Sequence, residues 1–498
     1  MRIFSLAKRP VSALLALLIL ALAVSCGDNP DGQDNVTDGG TTDSTAQVEA
    51  GYDYPEVDYG GYEFRVLNFD QYVNCNIRVD VEEQTGEKLD DAIWARNRKV
   101  EDKLGFRMKE IQHTYSKNWG SDQKELIGLV TSSVMAGDDL YDAAYLNLNF
   151  NIGAVTDGNF VDLRSIDTLD LDADWWDHVL NDSLTVNGKL YGASSPLMFA
   201  TFDSSWCVFF NETMMDKNKL EYPYQLVRDG KWTIDRMNEY VSAAASLNGD
   251  ESFTTWKVDG NSVYGIAGHS DGAPQGFVYS AGCDYVSEDG GEYKLTIGTE
   301  RFYTAIDKLK KLFDLESGHA RFHNGGKGNA DGYIALFAKD RAMFMTAELK
   351  TAMEERDMES QFGILPMPKL DESQSEYRTF VGGGAALLCV PKTNKDVERT
   401  GVILDALSYE SNESVLPVYY DVTVSQKGLR NEESIEMLQI IRATRGCEFG
   451  NFYSLVPGLI SGVQGILCNG SNDEPASLVA SNTDSVNENI QKLVEAFK

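Results

Sequence analysis

Between Tyr62 and Leu148 the chain alternates two hydrophobic periods, and this alternation constrains the fold more than any other feature. Tyr62–Phe69 is rich in β-formers and reads as a buried strand. Leu89–Leu104 places Ala92, Ile93, Ala95, Val100 and Leu104 at helical spacing and stops at Gly105. Phe106–Ile111 alternates as a second strand, Lys124–Ala136 is an amphipathic helix, and Tyr141–Leu148 is a third strand. Strands joined through helices cannot pair as tight hairpins, so the crossovers set them parallel. The order predicts an α/β fold, a mainly parallel sheet covered by helices on both faces. Ligands of such sheets gather beyond the carboxyl ends of the strands, here near Asn68–Asp70 and Asn147–Asn149.

The full 498 residues exceed one hydrophobic core and predict two or three packed domains. The first residues are an address. Arg2, Lys8 and Arg9 precede an apolar stretch, Val11–Val24, broken by Ser12 and too short to span a bilayer comfortably. The stretch ends in Leu22-Ala23-Val24-Ser25-Cys26, which resembles a bacterial lipobox with Ala23 where Leu is usual. That resemblance implies a lipidated Cys26 as the mature N-terminus, and two acyl chains would make a stable anchor. Residues 27–58 hold nine acidic residues and no Lys or Arg, and read as a disordered acidic tether. The other six cysteines, Cys75, Cys207, Cys283, Cys389, Cys447 and Cys468, form no C-x-x-C pair, and their disulfide state is open.

The chain has 44 Lys+Arg against 77 Asp+Glu, a net charge of -33. A polyanion would be repelled, so nucleic acid is excluded as a partner, and adsorption to anionic lipid is disfavoured. Contact with membrane is then through the lipid anchor only.

Further strands are expected at Ser205–Asn211, Ala342–Thr346 and Ala385–Val390. Helices are expected from Ile234 after Thr233, at Thr299–Leu315, Ala330–Lys339 and Val397–Tyr409, with an Asn-Gly hairpin at Val186–Gly192. Four stretches, in order, carry a family resemblance. They are Trp175-Trp176-Asp177 with Thr185–Gly192 and Val208–Asn211; Gly230-Lys231-Trp232-Thr233; Leu336–Phe344 with Phe362–Lys369; and Leu387–Lys392 with Leu416–Asp421. From Tyr62 onward the chain resembles the extracellular solute-binding proteins of bacterial ABC importers, in the sugar-binding group that includes maltodextrin binders. The resemblance implies a two-lobed periplasmic-binding-protein type II fold with a hinge. Crossings would fall near Met198–Ser205 and Leu365–Pro368, giving a first lobe of residues 59–202 plus 366–407 and a second of 203–365 plus 408–498. It implies a monomeric, non-enzymatic, extracytoplasmic receptor on the outer face of the cytoplasmic membrane. That receptor would carry a carbohydrate to permease subunits, with no cofactor and no metal.

A sugar site needs aromatic platforms and planar carboxylates or amides that take adjacent hydroxyls. The candidates are Asp70, Asn147 and Asn149 in the first lobe, Asp203 and Trp206 at the hinge, Glu348 after its strand, and Tyr420 and Phe452 for stacking. Trp94 and Trp232 read as core, and Trp175-Trp176 as a loop anchor. Two alternatives stay open. Gly268-His269-Ser270-Asp271-Gly272 matches the G-x-S-x-G elbow of α/β-hydrolases, and His319 or His323 could complete the chain order. The elbow needs a strand-to-helix turn, whereas Asp271-Gly272-Ala273-Pro274 reads as an irregular loop; a carboxylate-pair glycosidase is the other form of hydrolase. The second alternative keeps the fold and binds a polyamine or another cation. Asp170-x-Asp172-x-Asp174 opens like a calcium loop but lacks its Gly and closing Glu, and Gly382-Gly383-Gly384 lacks the Lys of a phosphate loop.

Overall fold

The computed structural model describes residues 51–71, 78–147, 149, 152–254, 257, 259–323, 332–354, 358–382, 385–425, 429 and 432–498. Cys26, Cys75 and most of the expected tether lie outside them. Tyr52–Lys498 is one compact unit. No described helix is long and apolar enough to cross a membrane.

A first sheet forms from β1 (Tyr62–Phe69), β2 (Phe106–His113), β3 (Ala143–Leu146) and β12 (Leu387–Cys389), in the order β12-β3-β1-β2. The pairs β1–β2 and β1–β3 are parallel, as the crossover helices Lys88–Leu104 and Trp119–Ala136 require. The edge strand β12 is antiparallel to β3, Leu387 facing Leu146. Gly105 ends the first helix at φ 67°, a left-handed position that suits glycine, and donates its N–H to the Glu101 carbonyl at 2.9 Å. Phe64, Val66, Leu67, Phe106, Leu126, Ile127 and Val130 are buried between the layers.

The second sheet has the order β10-β4-β9-β5-β8, built from β4 (Trp206–Asn211), β5 (Tyr264–Gly268), β8 (Ala320–Phe322), β9 (Ala342–Glu348) and β10 (Phe362–Leu365). Here β5 runs parallel to β8 and β9, while β4 is antiparallel to both β9 and β10. The sheets are therefore mixed, more so than the βαβαβ opening alone implies. Helices Ile234–Ala244 and Glu300–Leu312 cover this sheet, and each starts at a threonine whose hydroxyl accepts a backbone N–H, Thr233 from Arg236 and Thr299 from Phe302, both at 3.3 Å. Trp232 is fully buried and donates Nε1–H to the Pro366 carbonyl at 3.0 Å. A small hairpin, β6 (Val286–Asp289) and β7 (Glu292–Leu295), and a parallel pair, β11 (Thr379–Phe380) with β13 (Arg445–Gly446), complete the strands described.

Three segments make contacts across the expected divisions. Residues 366–380 were expected with the first lobe, yet Lys369 exchanges backbone hydrogen bonds with Trp232 and Ile234 of the second. The return occurs later, where Val381 bridges Ser205 and Leu387 joins β3. Residues 411–425 were expected with the second lobe. The π-turn Ser411–Val415 and helix Leu416–Ser425 instead pack on helix Lys88–Leu104, with Arg96 donating to Ser411 Oγ at 3.0 Å. Finally, the tether was expected to run to Asp58. Tyr52 donates to Asp405 at 3.1 Å and Tyr54 to Glu410 at 2.8 Å, so these residues lie on helix Val397–Glu410. Trp175 and Trp176 donate to the same Asp405 at 3.1 and 2.9 Å, the loop anchor expected of them.

Candidate functional site

The carboxyl edge of the second sheet gathers polar side chains. His269 follows β5, His323 follows β8, and Glu348 closes β9 directly opposite Trp206, the first residue of antiparallel β4. Glu348 forms a 2.6 Å ion pair with Lys350. Two glycines fix the indole. A Cβ on Gly272 would lie 2.0 Å from Trp206 Cζ2, and a Cβ on Gly382 would lie 3.2 Å from its Nε1 and 3.4 Å from Glu348 Oε1. The Gly272 backbone therefore approaches the ring closer than any side chain would allow, and Gly382 leaves only a tight fit. The His269 ring meets Tyr333 edge-on at 6.0 Å. Burial holds its pKa below the ordinary imidazole value, opposed by Asp271 and Glu348 and assisted by Lys350 and His323.

The hinge lies next to this edge. Asp203 is fully buried and accepts from Tyr419 at 2.6 Å, and Tyr419 stacks on Phe199 at 4.5 Å. Tyr420 meets Phe202 edge-on at 5.9 Å, under the Arg442 guanidinium at 4.6 Å, and burial pushes its phenol up to about 12. On the Phe202 ring sits Arg445, 3.8 Å from the centroid, paired with Asp177 at 2.8 Å. Each side chain of that pair is 7% exposed, which makes it a buried ion pair between β13 and the residue preceding helix His178–Leu184.

At the first sheet, Asp70 and Asn147 stand just beyond the adjacent parallel ends of β1 and β3. Asp70 Oδ1 accepts from Tyr115 N–H at 3.0 Å, so it ties a turn while its side chain stays half-buried; Asn147 is 1% exposed. Asn149 offers its carbonyl to Ser454 Oγ at 2.7 Å, close behind Phe452, which is buried against Tyr453. The candidates therefore form three neighbourhoods: Asp203, Trp206, Glu348 and Tyr420 around the hinge, Asp70 with Asn147 at one sheet edge, and Asn149 with the Phe452 loop. Sequence reasoning passed over Lys350 and Arg445, and weighed His269 and Gly272 only within the G-x-S-x-G motif. Lys350 lies in the turn after β9, where its N–H donates to the Asp203 carbonyl at 3.2 Å, and strand periodicity does not reach it.

The segment after β5 corrects an expectation. Gly268 ends the strand and Gly272 begins a helix, Gly272–Ser280, so the turn is strand-to-helix and not an irregular loop. Ser270 nevertheless is not among the described residues with positive φ, and its hydroxyl lies 3.5 Å from Asp271 Oδ1. The strained nucleophile elbow is thus missing. His319 points elsewhere, to Lys311 O at 2.8 Å and Ser242 Oγ at 3.2 Å. Among the described residues no group of His, Cys, Asp or Glu could hold a metal, and in the acidic loop Asp172 pairs with Arg164 at 3.0 Å. Cys207, Cys283, Cys389 and Cys447 are buried thiols, and burial pushes Cys283 up to about 11.

Glu448 holds the Phe452 loop to the second lobe. Its carboxylate accepts from Tyr285 N–H at 2.9 Å, Val286 N–H at 3.1 Å and Asn451 N–H at 2.5 Å, and burial pushes its pKa up to about 7. A carboxyl whose folded pKa is raised makes the folded state bind more protons. Its stabilising contribution is whole below pH about 4.5 and declines as pH rises through about 7, a change on the order of 3 kcal/mol. Urea midpoints at pH 5 and pH 8 should differ less in Glu448→Gln than in the parent. An unchanged difference would remove Glu448 as the source.

No protein-family model matches the chain, and no curated protein matches it. Solved structures do. The cyclic α-maltosyl-1,6-maltose binding protein of Arthrobacter globiformis aligns at TM-score 0.56 and 15% identity, over 87% of this chain and 100% of its own. An ABC substrate-binding protein of Listeria monocytogenes in complex with cycloalternan aligns at 0.54 and 15%, over 86% and 99%. The maltose/maltodextrin-binding domain of Bdellovibrio bacteriovorus, bound to maltotriose, aligns at 0.53 and 12%, over 86% and 100%. The chain has the two-lobed α/β fold of the sugar-binding proteins of ABC importers.

Proposed function

We propose that this chain is an extracytoplasmic, non-enzymatic receptor that binds a carbohydrate between the carboxyl edges of its two sheets and delivers it to an ABC permease. Lipidation at Cys26 and the acidic segment after it would hold the receptor at the membrane. The observation that carries the reading is the meeting of Trp206 with the Glu348–Lys350 pair under two close glycines. An indole offers an apolar platform for sugar C–H faces, while the Glu348 carboxylate can accept from one hydroxyl and the Lys350 ammonium can donate to the next. The ligands of the solved neighbours support the same class. Asp70, Asn147, Asn149, Asp203, Tyr420 and Phe452 are proposed as the remaining contacts and their supports.

The test is calorimetry and tryptophan fluorescence on the full chain with mono- and oligosaccharides, and with spermidine alongside. Saccharide binding should change the fluorescence and leave the sugar intact. Trp206→Ala should weaken affinity about 30- to 100-fold, the equivalent of ~2–3 kcal/mol. Turnover of the sugar, or binding of spermidine alone, would sink the proposal.

A further inference from the structure

The two cleft edges are tied to each other away from the hinge. Residues 447–498 form a C-terminal block of three helices, Phe449–Phe452, Pro457–Cys468 and Pro475–Ala496. The block grips the second lobe. Helix Pro457–Cys468 packs on helix Gly272–Ser280, which starts from β5, and its Gln464 donates to Asp271. Asn451 donates to Gln275 of the same helix at 2.5 Å. It also grips the first lobe. Ser454 Oγ donates to the Asn149 carbonyl at 2.7 Å, Tyr453 donates to the Leu184 carbonyl at 2.5 Å, and helix Pro475–Ala496 packs on helix Ile152–Thr156. Asn149 lies just past the carboxyl end of β3, and Asp271 just past that of β5, the places where an α/β sheet receives its ligand.

A 2.7 Å hydrogen bond leaves no room for a sugar ring between Ser454 and Asn149. Ser454 also has φ 52°, left-handed for a residue that is not glycine. That conformation ends helix Phe449–Phe452, where Leu455 N–H donates to the Gly450 carbonyl at 2.7 Å and Ser454 N–H to the Asn451 carbonyl at 3.0 Å, and the Ser454 hydroxyl is held on Asn149. We propose that the C-terminal block closes one end of the cleft, so that the receptor takes a short saccharide, or one end of a chain, and excludes long or cyclic oligosaccharides passing through. This rests on the carbohydrate reading given above.

The experiment is calorimetry of the full chain with maltose, maltotetraose and α-cyclodextrin, and with cellobiose and cellotetraose. The disaccharide of the preferred linkage should bind within about threefold of its tetrasaccharide, and the ring should not bind. Ser454→Gly removes the hydroxyl at a φ that glycine adopts freely, so folding is preserved. In that variant the tetrasaccharide should gain at least threefold over the disaccharide. A tetrasaccharide binding tenfold tighter than the disaccharide in the parent, capture of the ring, or no response to Ser454→Gly would overturn the inference alone. If none of the five sugars bound, the carbohydrate reading would fall, and the inference with it.

Discussion

Replacing Gly272 with alanine should destabilise the protein by about 1–3 kcal/mol, the range seen when a methyl is forced into a packed site. The sign is informative, because helix propensity argues the other way. Gly272 is the first residue of helix Gly272–Ser280 and lacks positive φ, so alanine would by itself favour the helix by at most roughly 1 kcal/mol, the value for a helix interior. The opposing effect is steric. The new Cβ would meet Trp206 Cζ2 at 2.0 Å and Cη2 at 2.4 Å. The indole cannot retreat, since Trp206 is paired with Glu348 in the sheet and packs with Ala273, Tyr279 and Phe380. Either the helix start or the ring must move, and under the carbohydrate reading proposed above saccharide affinity should fall with stability. Urea denaturation and calorimetry on Gly272→Ala measure both. A variant as stable as the parent, or more so, would show that Trp206 is not confined as described.

A larger loss is expected at the Asp177–Arg445 pair. Truncating one partner of a buried ion pair leaves the other charge without compensation and costs about 3–5 kcal/mol. The pair is 2.8 Å long and both side chains are 7% exposed. Asp177 also accepts from Ser194 Oγ at 3.0 Å, so Asp177→Ala strips two partners at once. Arg445 Nη1 already lacks a hydrogen-bond acceptor, which leaves the guanidinium little else to bind. Urea denaturation should place Asp177→Ala well below the parent, whereas Asp177→Leu combined with Arg445→Met should recover most of the difference. Additive losses in the double variant would show that the two residues act independently. A loss under 1 kcal/mol for Asp177→Ala would place the pair with ordinary surface bridges.

Local chemistry made much of the fold legible. Thr233 and Thr299 mark helix starts because a hydroxyl there meets a free N–H, and Asn187-Gly188 marks a hairpin because both residues take positive φ, 50° and 76°. What failed were inferences from average composition. Tyr52 and Tyr54 sit in an acidic, polar stretch whose mean says disorder, yet each phenol finds a buried carboxylate on a helix far along the chain. Asp271–Pro274 contains turn-formers, but the first helical turn has unpaired N–H groups and accepts a proline without loss. The site was partly legible for the same reason. Trp206 and Glu348 stand at strand ends, which periodicity locates. The ion pair of Asp177 with Arg445 and the close approach of Gly272 to the indole are products of tertiary packing, and no spacing along the chain encodes them.

The late arrival of β12 has a consequence for how the molecule is made. The sheet of the first lobe is finished only when Leu387–Cys389 lies against β3, after the whole strand set of the second sheet has been synthesised. Contacts so distant in sequence slow folding, since loop closure comes before the contacts that reward it. The first lobe therefore cannot complete its sheet until Leu387–Cys389 has emerged. The two lobes should gain structure as one cooperative event, and a chain ended before Leu387 should yield no stable first lobe.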